Sequence, residues 1–168
     1  MLRVLGIDPG LALIGYGVVE EKRGSYLRLT SGCISTEKNM SAPGRLNIIY
    51  DNIIKIITEY APDYLIMEKV FFNKNVTTAI KTGEARGVIL LAASVNNLEV
   101  FEYTPLQIKQ VVTGYGKASK QQVEKMVCLQ LNIRKDFRND DESDALAVSL
   151  CHLQQRKWFE AVEGRKNR

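Results

Sequence analysis

Four acidic residues stand where ordinary folding rules do not favour a charge. Asp8 closes the apolar run VLGIDPG, and Glu68 closes a second, YLIMEKV. Asp141 and Asp144 lie three residues apart in RNDDESDALAVSL, so on a helix they share a face, about 60° from alignment. Each has a plain structural reading. Asp8 precedes Pro-Gly, a natural turn, and Glu68–Lys69 can mark a strand emerging into solvent. Asn139 can cap a helix with Glu142 completing a capping box, and acids in a first turn favour the positive helix end. Asp144 fits that reading less well, because it shares a stripe with Val148 and Cys151, the side expected to face the core.

Together the four point to chemistry. Carboxylates at two strand ends and on one helix face converge only at one edge of a sheet. Ionised side by side they repel, which raises pKa values unless a divalent cation neutralises them. The chain has one histidine, His152, and three scattered cysteines, Cys33, Cys128 and Cys151, with no C-x-x-C. That leaves little for a zinc cluster, a disulfide framework or Cys–His and Ser–His–Asp catalysis. Oxygen donors are hard ligands, so the expected metal is Mg²⁺ or Mn²⁺. A paired-metal carboxylate site is suited to phosphodiester hydrolysis, one ion generating hydroxide and the other stabilising the leaving oxygen.

The elements that must position these acids follow from periodicity. Leu2–Asp8, Ile14–Glu20 and Tyr26–Ser35 read as three strands with short links, an antiparallel meander; Gly15 and Gly17 weaken the second. Leu46, Ile49, Ile53, Ile56 and Ile57 recur at helical spacing, with a start at Ser41–Pro43 and a stop at Pro62. Asp63–Val70 is a strand, and Val76–Asn97 a helix whose Ala79, Gly83 and Gly87, spaced by four, imply close packing, internal or across a dimer. Glu99–Thr104 returns as a strand, followed by helices over Pro105–Thr113, Ser119–Leu131 and Asn139–Phe159, then a short basic tail from about residue 160. The order predicts an α/β fold, a mixed sheet with helices on both faces, in one domain spanning residues 1–168.

Composition sets the limits. The chain has 168 residues, of which Leu, Ile, Val and Phe make up 50, ample for a packed core without disulfides or structural metal. No apolar run approaches the ~18 residues of a membrane span, and no secretory leader is expected, which points to the cytoplasm. With 23 basic and 19 acidic residues the net charge is +4, compatible with a nucleic-acid partner without requiring one.

The segments LGIDPG, GYGVV, SGCI, PDYLIMEKVFFNKN, KTGEARGV, FEYTPLQIKQVVTGYGKASKQQV and DESDALAVSLCH follow one another from about Leu2 to His152. This ordered set resembles the RuvC family of crossover-junction endodeoxyribonucleases, Holliday-junction resolvases with a ribonuclease H-like fold. The resemblance implies a five-stranded mixed sheet and catalytic carboxylates at Asp8, Glu68, Asp141 and Asp144. It also implies two Mg²⁺ ions per site, a homodimer, four-way junction DNA as substrate, and nicks leaving 5′-phosphate and 3′-hydroxyl ends. Proteins of the RuvA and RuvB type become expected partners. Lys120 becomes a candidate to stabilise phosphate charge or assist proton transfer. The resemblance points to Phe71, with Phe72 and Lys74 beside it, as groups that stack on bases or wedge the junction centre. It also points to Lys109 and Lys120 as phosphate contacts, to which the GYGK loop adds Lys117. That loop lacks Walker A spacing.

Three rival readings stay open at this point. One is a phosphotransferase of the actin-like ATPase type, using an I-D-x-G turn, for which the chain is short. Another is a YqgF-type nuclease acting on structured RNA. The third is a junction-binding module whose acids are structural.

Overall fold

The computed structural model describes residues 1–69, 76–134, 137 and 139–166. Strand β1 (Leu2–Asp8) pairs antiparallel with β2 (Leu13–Lys22), which pairs antiparallel with β3 (Ser25–Ser35). On its other side β1 pairs in parallel with β4 (Tyr64–Glu68), and β4 in parallel with β5 (Glu99–Tyr103). The sheet order is β3-β2-β1-β4-β5, the mixed five-stranded sheet expected.

Helix α1 (Ala42–Tyr60) begins at the Ser41 cap and ends at Ala61 in the left-handed conformation, just before Pro62. With α2 (Val76–Val95) it covers one sheet face: Ile49, Ile53 and Ile57 of α1 and Ala85, Ile89 and Ala93 of α2 pack on Leu5, Ile7, Leu65 and Met67. The opposite face carries α3 (Pro105–Thr113), α4 (Lys120–Leu131) and α5 (Asp140–Lys166). There Ile108, Val127, Leu146 and Leu150 close on Val4, Val19 and Ile66. Strand alternation divides the side chains between the two cores, so every second residue of β1, ending with Asp8, faces α5.

Helix α5 lies directly on the sheet because β1 and β2 are bare beneath it. A Cβ on Gly6 would run into the Ala145 carbonyl oxygen, and one on Gly15 into the Asp141 carbonyl. Gly15, which reads in sequence as a weak point in a strand, is therefore the seat of the α5 N-terminus.

Two sequence expectations are corrected. The helix predicted to stop near Phe159 continues to Lys166, since WFEAVE carries nothing that breaks it; no separate tail begins at 160. Glu142, expected to complete a capping box with Asn139, reaches across to β3. It is buried, its Oε1 accepting from Ser31 Oγ on β3 at 2.7 Å, while the Asn139 amide donates to Cys33 Sγ at 3.7 Å.

Candidate active site

The carboxylates meet through strand register. Ile7 pairs with Met67, which places Asp8 and Glu68 side by side at the carboxyl ends of two parallel strands. Glu68 pairs in turn with Tyr103, and Asp8 with Gly15. Above this row, the first turns of α5 bring Asp141 and Asp144 over the sheet, at a height set by Gly15.

The electrostatics show how tightly the four are coupled. Burial, then the charges of Asp144, Glu68 and Asp141, push the Asp8 carboxyl from 3.8 up to about 7; Lys120 opposes the rise. Burial and then Asp144 also raise Glu68, against Lys109 and Lys120. Burial raises Asp144, partly offset by its hydrogen bond to Lys120. Lys120 opens α4, its Nζ 2.9 Å from Asp144 Oδ2 and 3.4 Å from Asp140 Oδ2. Burial lowers that ammonium, but Asp144 and Asp140 more than offset it and its pKa rises. A cleft of about 210 Å³ lies beside these groups, lined by Glu68, Lys109, Lys120 and Asp144 over the apolar floor of Ile108, Val123 and Ala147.

The donor set has the chemistry of a divalent-cation site: four hard oxygen ligands, with burial first and mutual repulsion second raising the Asp8 pKa to about 7. As placed, the carboxylates do not form a closed cage. Among the described residues no three His, Cys, Asp or Glu side chains close on a common point, and the Lys120 ammonium supplies the counter-charge to Asp144. The residues present fit a hard divalent ion in charge and donor type.

The structure thus brings together Asp8, Glu68, Asp141, Asp144, Lys109 and Lys120. Lys117 is not among them. The side chain of Gln110 bonds Gly116 N and Gly114 O, Ala118 is buried, and Lys117 is left exposed outside the cleft. Phe71, Phe72 and Lys74 lie outside the described residues. Two supporting groups escaped the sequence reading. Asp140, read as a helix-start acid, shares Lys120, and no sequence signal separates it from its neighbours. Arg86 of α2 donates from Nη1 to the Glu68 carbonyl oxygen at 3.2 Å and pairs with Glu102. Its signal is an arginine standing at the start of the apolar stretch GVILLAA.

The family model for crossover junction endodeoxyribonuclease RuvC matches residues 4–152, most of the chain. The chain belongs to the RuvC family. RuvC of Halothermothrix orenii is 48% identical over 159 residues, 92% of this chain and 96% of that protein. RuvC of Alkaliphilus oremlandii is 50% identical over 149 residues, 89% and 91% of the two chains. In three dimensions the chain is similar to T. thermophilus RuvC in complex with a Holliday junction substrate, with a TM-score of 0.90 at 31% identity, covering 94% of this chain and 96% of that one. The yeast mitochondrial Holliday junction resolvase, at 12% identity and a TM-score of 0.68, shares the fold.

Proposed function

We propose that this RuvC-family chain is an endodeoxyribonuclease that resolves four-way DNA junctions by paired symmetric nicks. The observation that carries the reading is the electrostatic coupling of Asp8, Glu68, Asp141 and Asp144 at one sheet edge, in a chain that matches a junction-bound RuvC over nearly its whole length. Asp8, Glu68, Asp141 and Asp144 would hold two Mg²⁺ ions, for which Mn²⁺ would substitute. When bound they supply activation of the attacking water and stabilisation of the leaving 3′-oxygen.

The remaining work falls to the chain itself. The rise of the Asp8 pKa means that its charge is tolerated only against a positive partner. Lys120, kept protonated by Asp144 and Asp140, places an ammonium where negative charge grows on the phosphate. Lys109, near enough to lower Glu68, adds a second cation along the same cleft. The products are 5′-phosphate and 3′-hydroxyl ends, which a ligase can seal.

Two nicks on equivalent strands call for two sites related by a two-fold axis. We place the dimer contact on α2, where Leu91 and Val95 are more than half exposed. Among the described residues a Cβ on Gly83 or Gly87 would meet nothing within 4 Å, which leaves room there for a partner helix. The five strands and both cores close on one sheet, which supports a single nuclease domain. The test is a synthetic four-way junction with and without Mg²⁺, read on a sequencing gel. Paired nicks with Mg²⁺, lost in Asp8→Asn while junction binding survives, are expected. Cutting that is indifferent to Mg²⁺, or an Asp8→Asn protein that no longer folds, would overturn the reading.

A further inference from the structure

On the other face of the sheet from Lys109 and Lys120, a second cleft of about 390 Å³ is lined by Leu11, Lys38, Arg45, Lys81 and Glu84. Arg45 is only 9% exposed. Its Nε donates to Thr36 Oγ1 at 2.8 Å, and that hydroxyl donates to the Leu11 carbonyl at 2.6 Å. This chain of bonds ties the guanidinium to the turn that follows Asp8. Its terminal nitrogens have no hydrogen-bond partner among the described residues, and neither Lys38 nor Lys81 forms an ion pair there. An arginine has five donors in a fixed fork, and those of Arg45 that Thr36 does not engage are open to the cleft. A pre-positioned fork flanked by two lysines against one acid matches an oxyanion with several acceptor oxygens, above all a phosphate.

We propose that this cleft holds a backbone phosphodiester of the strand being cut, on the opposite side of the scissile position from Lys109 and Lys120; the proposal rests on the junction-nuclease reading. Leu11 is three residues from Asp8, at most about 11 Å of chain. With one phosphate per ~3.4 Å of duplex axis on each strand, the phosphate held lies within about three nucleotides of the cut. Gripped on both flanks, the strand is fixed in register over the carboxylates.

The test uses full-length protein and a junction whose backbone is neutralised one position at a time by methylphosphonate, with binding measured in EDTA so that nothing is cut. Lys38 and Lys81 are both exposed, so a Lys38→Gln, Lys81→Gln double variant leaves the fold intact. The expected result is a methylphosphonate position within three nucleotides of the cut that weakens binding by the parent more than by the variant, which keeps only Arg45. Loss of one phosphate contact also makes the fall in affinity between 50 and 200 mM salt about 3.5-fold smaller. Equal responses of parent and variant at every position overturn the pocket while leaving the nuclease standing. A parent that neither binds nor, with Mg²⁺, cuts the junction overturns the function itself.

Discussion

Asp8→Asn separates the cost of the carboxylate cluster from its use. The unfolded carboxyl titrates near 3.8 and the folded one near 7. Between those values the folded chain holds the extra proton, so the contribution of Asp8 to stability falls as pH rises and is fully unfavourable above 7. A shift of about 3 units corresponds to at most about 4 kcal/mol, and solvent relaxation around a partly buried group makes about half of that realistic. Asparagine keeps the shape and removes the charge. In metal-free buffer at pH 8 the variant should therefore melt higher than its parent, by roughly 4–8 °C for about 2 kcal/mol in a chain of this size, and the gap should close towards pH 4. His152 titrates over much of the same range with the opposite sign, so the difference between variant and parent is the quantity to follow. Mg²⁺ should raise the parent's melting temperature and leave the variant's nearly unchanged. A variant that melts lower than its parent at pH 8, or a gap insensitive to pH, would refute the claim that the four acids share one repulsive site.

Lys120→Met should reduce cleavage about 100-fold, the scale of losing one preorganised transition-state contact, and move the acid limb of the pH–rate profile upward because Asp144 loses its ammonium; single-turnover rates across pH check it. His152 is buried against Phe101 and Tyr64 with Nδ1 2.9 Å from the Tyr103 hydroxyl, and burial, aided by Arg156, lowers its pKa from 6.5 to about 4. Because the unfolded ring takes up its proton first, stability should fall as pH drops from 6.5 to 4, by up to about 3 kcal/mol; denaturant titrations of parent and His152→Phe should show that dependence only in the parent. Leu91→Asp would place a charge in the proposed α2 contact and should weaken self-association at least about 100-fold, as sedimentation would record; an unchanged dimer would move the interface elsewhere.

Much of the fold was legible because each element carries its own punctuation. Ser41 with Pro43 opens α1 and Pro62 follows its end, whereas the Thr104 and Ser119 boxes that open α3 and α4 emerge only in the structure. The strand-end acids were legible for a different reason, namely that a charge closing an apolar run is out of place unless something recruits it. What the pattern left ambiguous were interactions decided by partners distant in sequence. Glu142 looked like a local cap and instead bonds Ser31, 111 residues away. Lys117 and Lys120 are equivalent as residue types, and only the Gln110-held loop and the start of α4 decide that one faces the carboxylates and the other faces water. Gly15 is the clearest case. Judged along its own strand it is a defect, because it weakens pairing propensity. Judged across the sheet it is the position that lets the α5 backbone descend onto β2, and without that descent Asp141 and Asp144 would ride a side chain's height above Asp8 and Glu68. The site therefore depends on a residue with no chemistry of its own, whose value appears only once two elements 126 residues apart are set face to face.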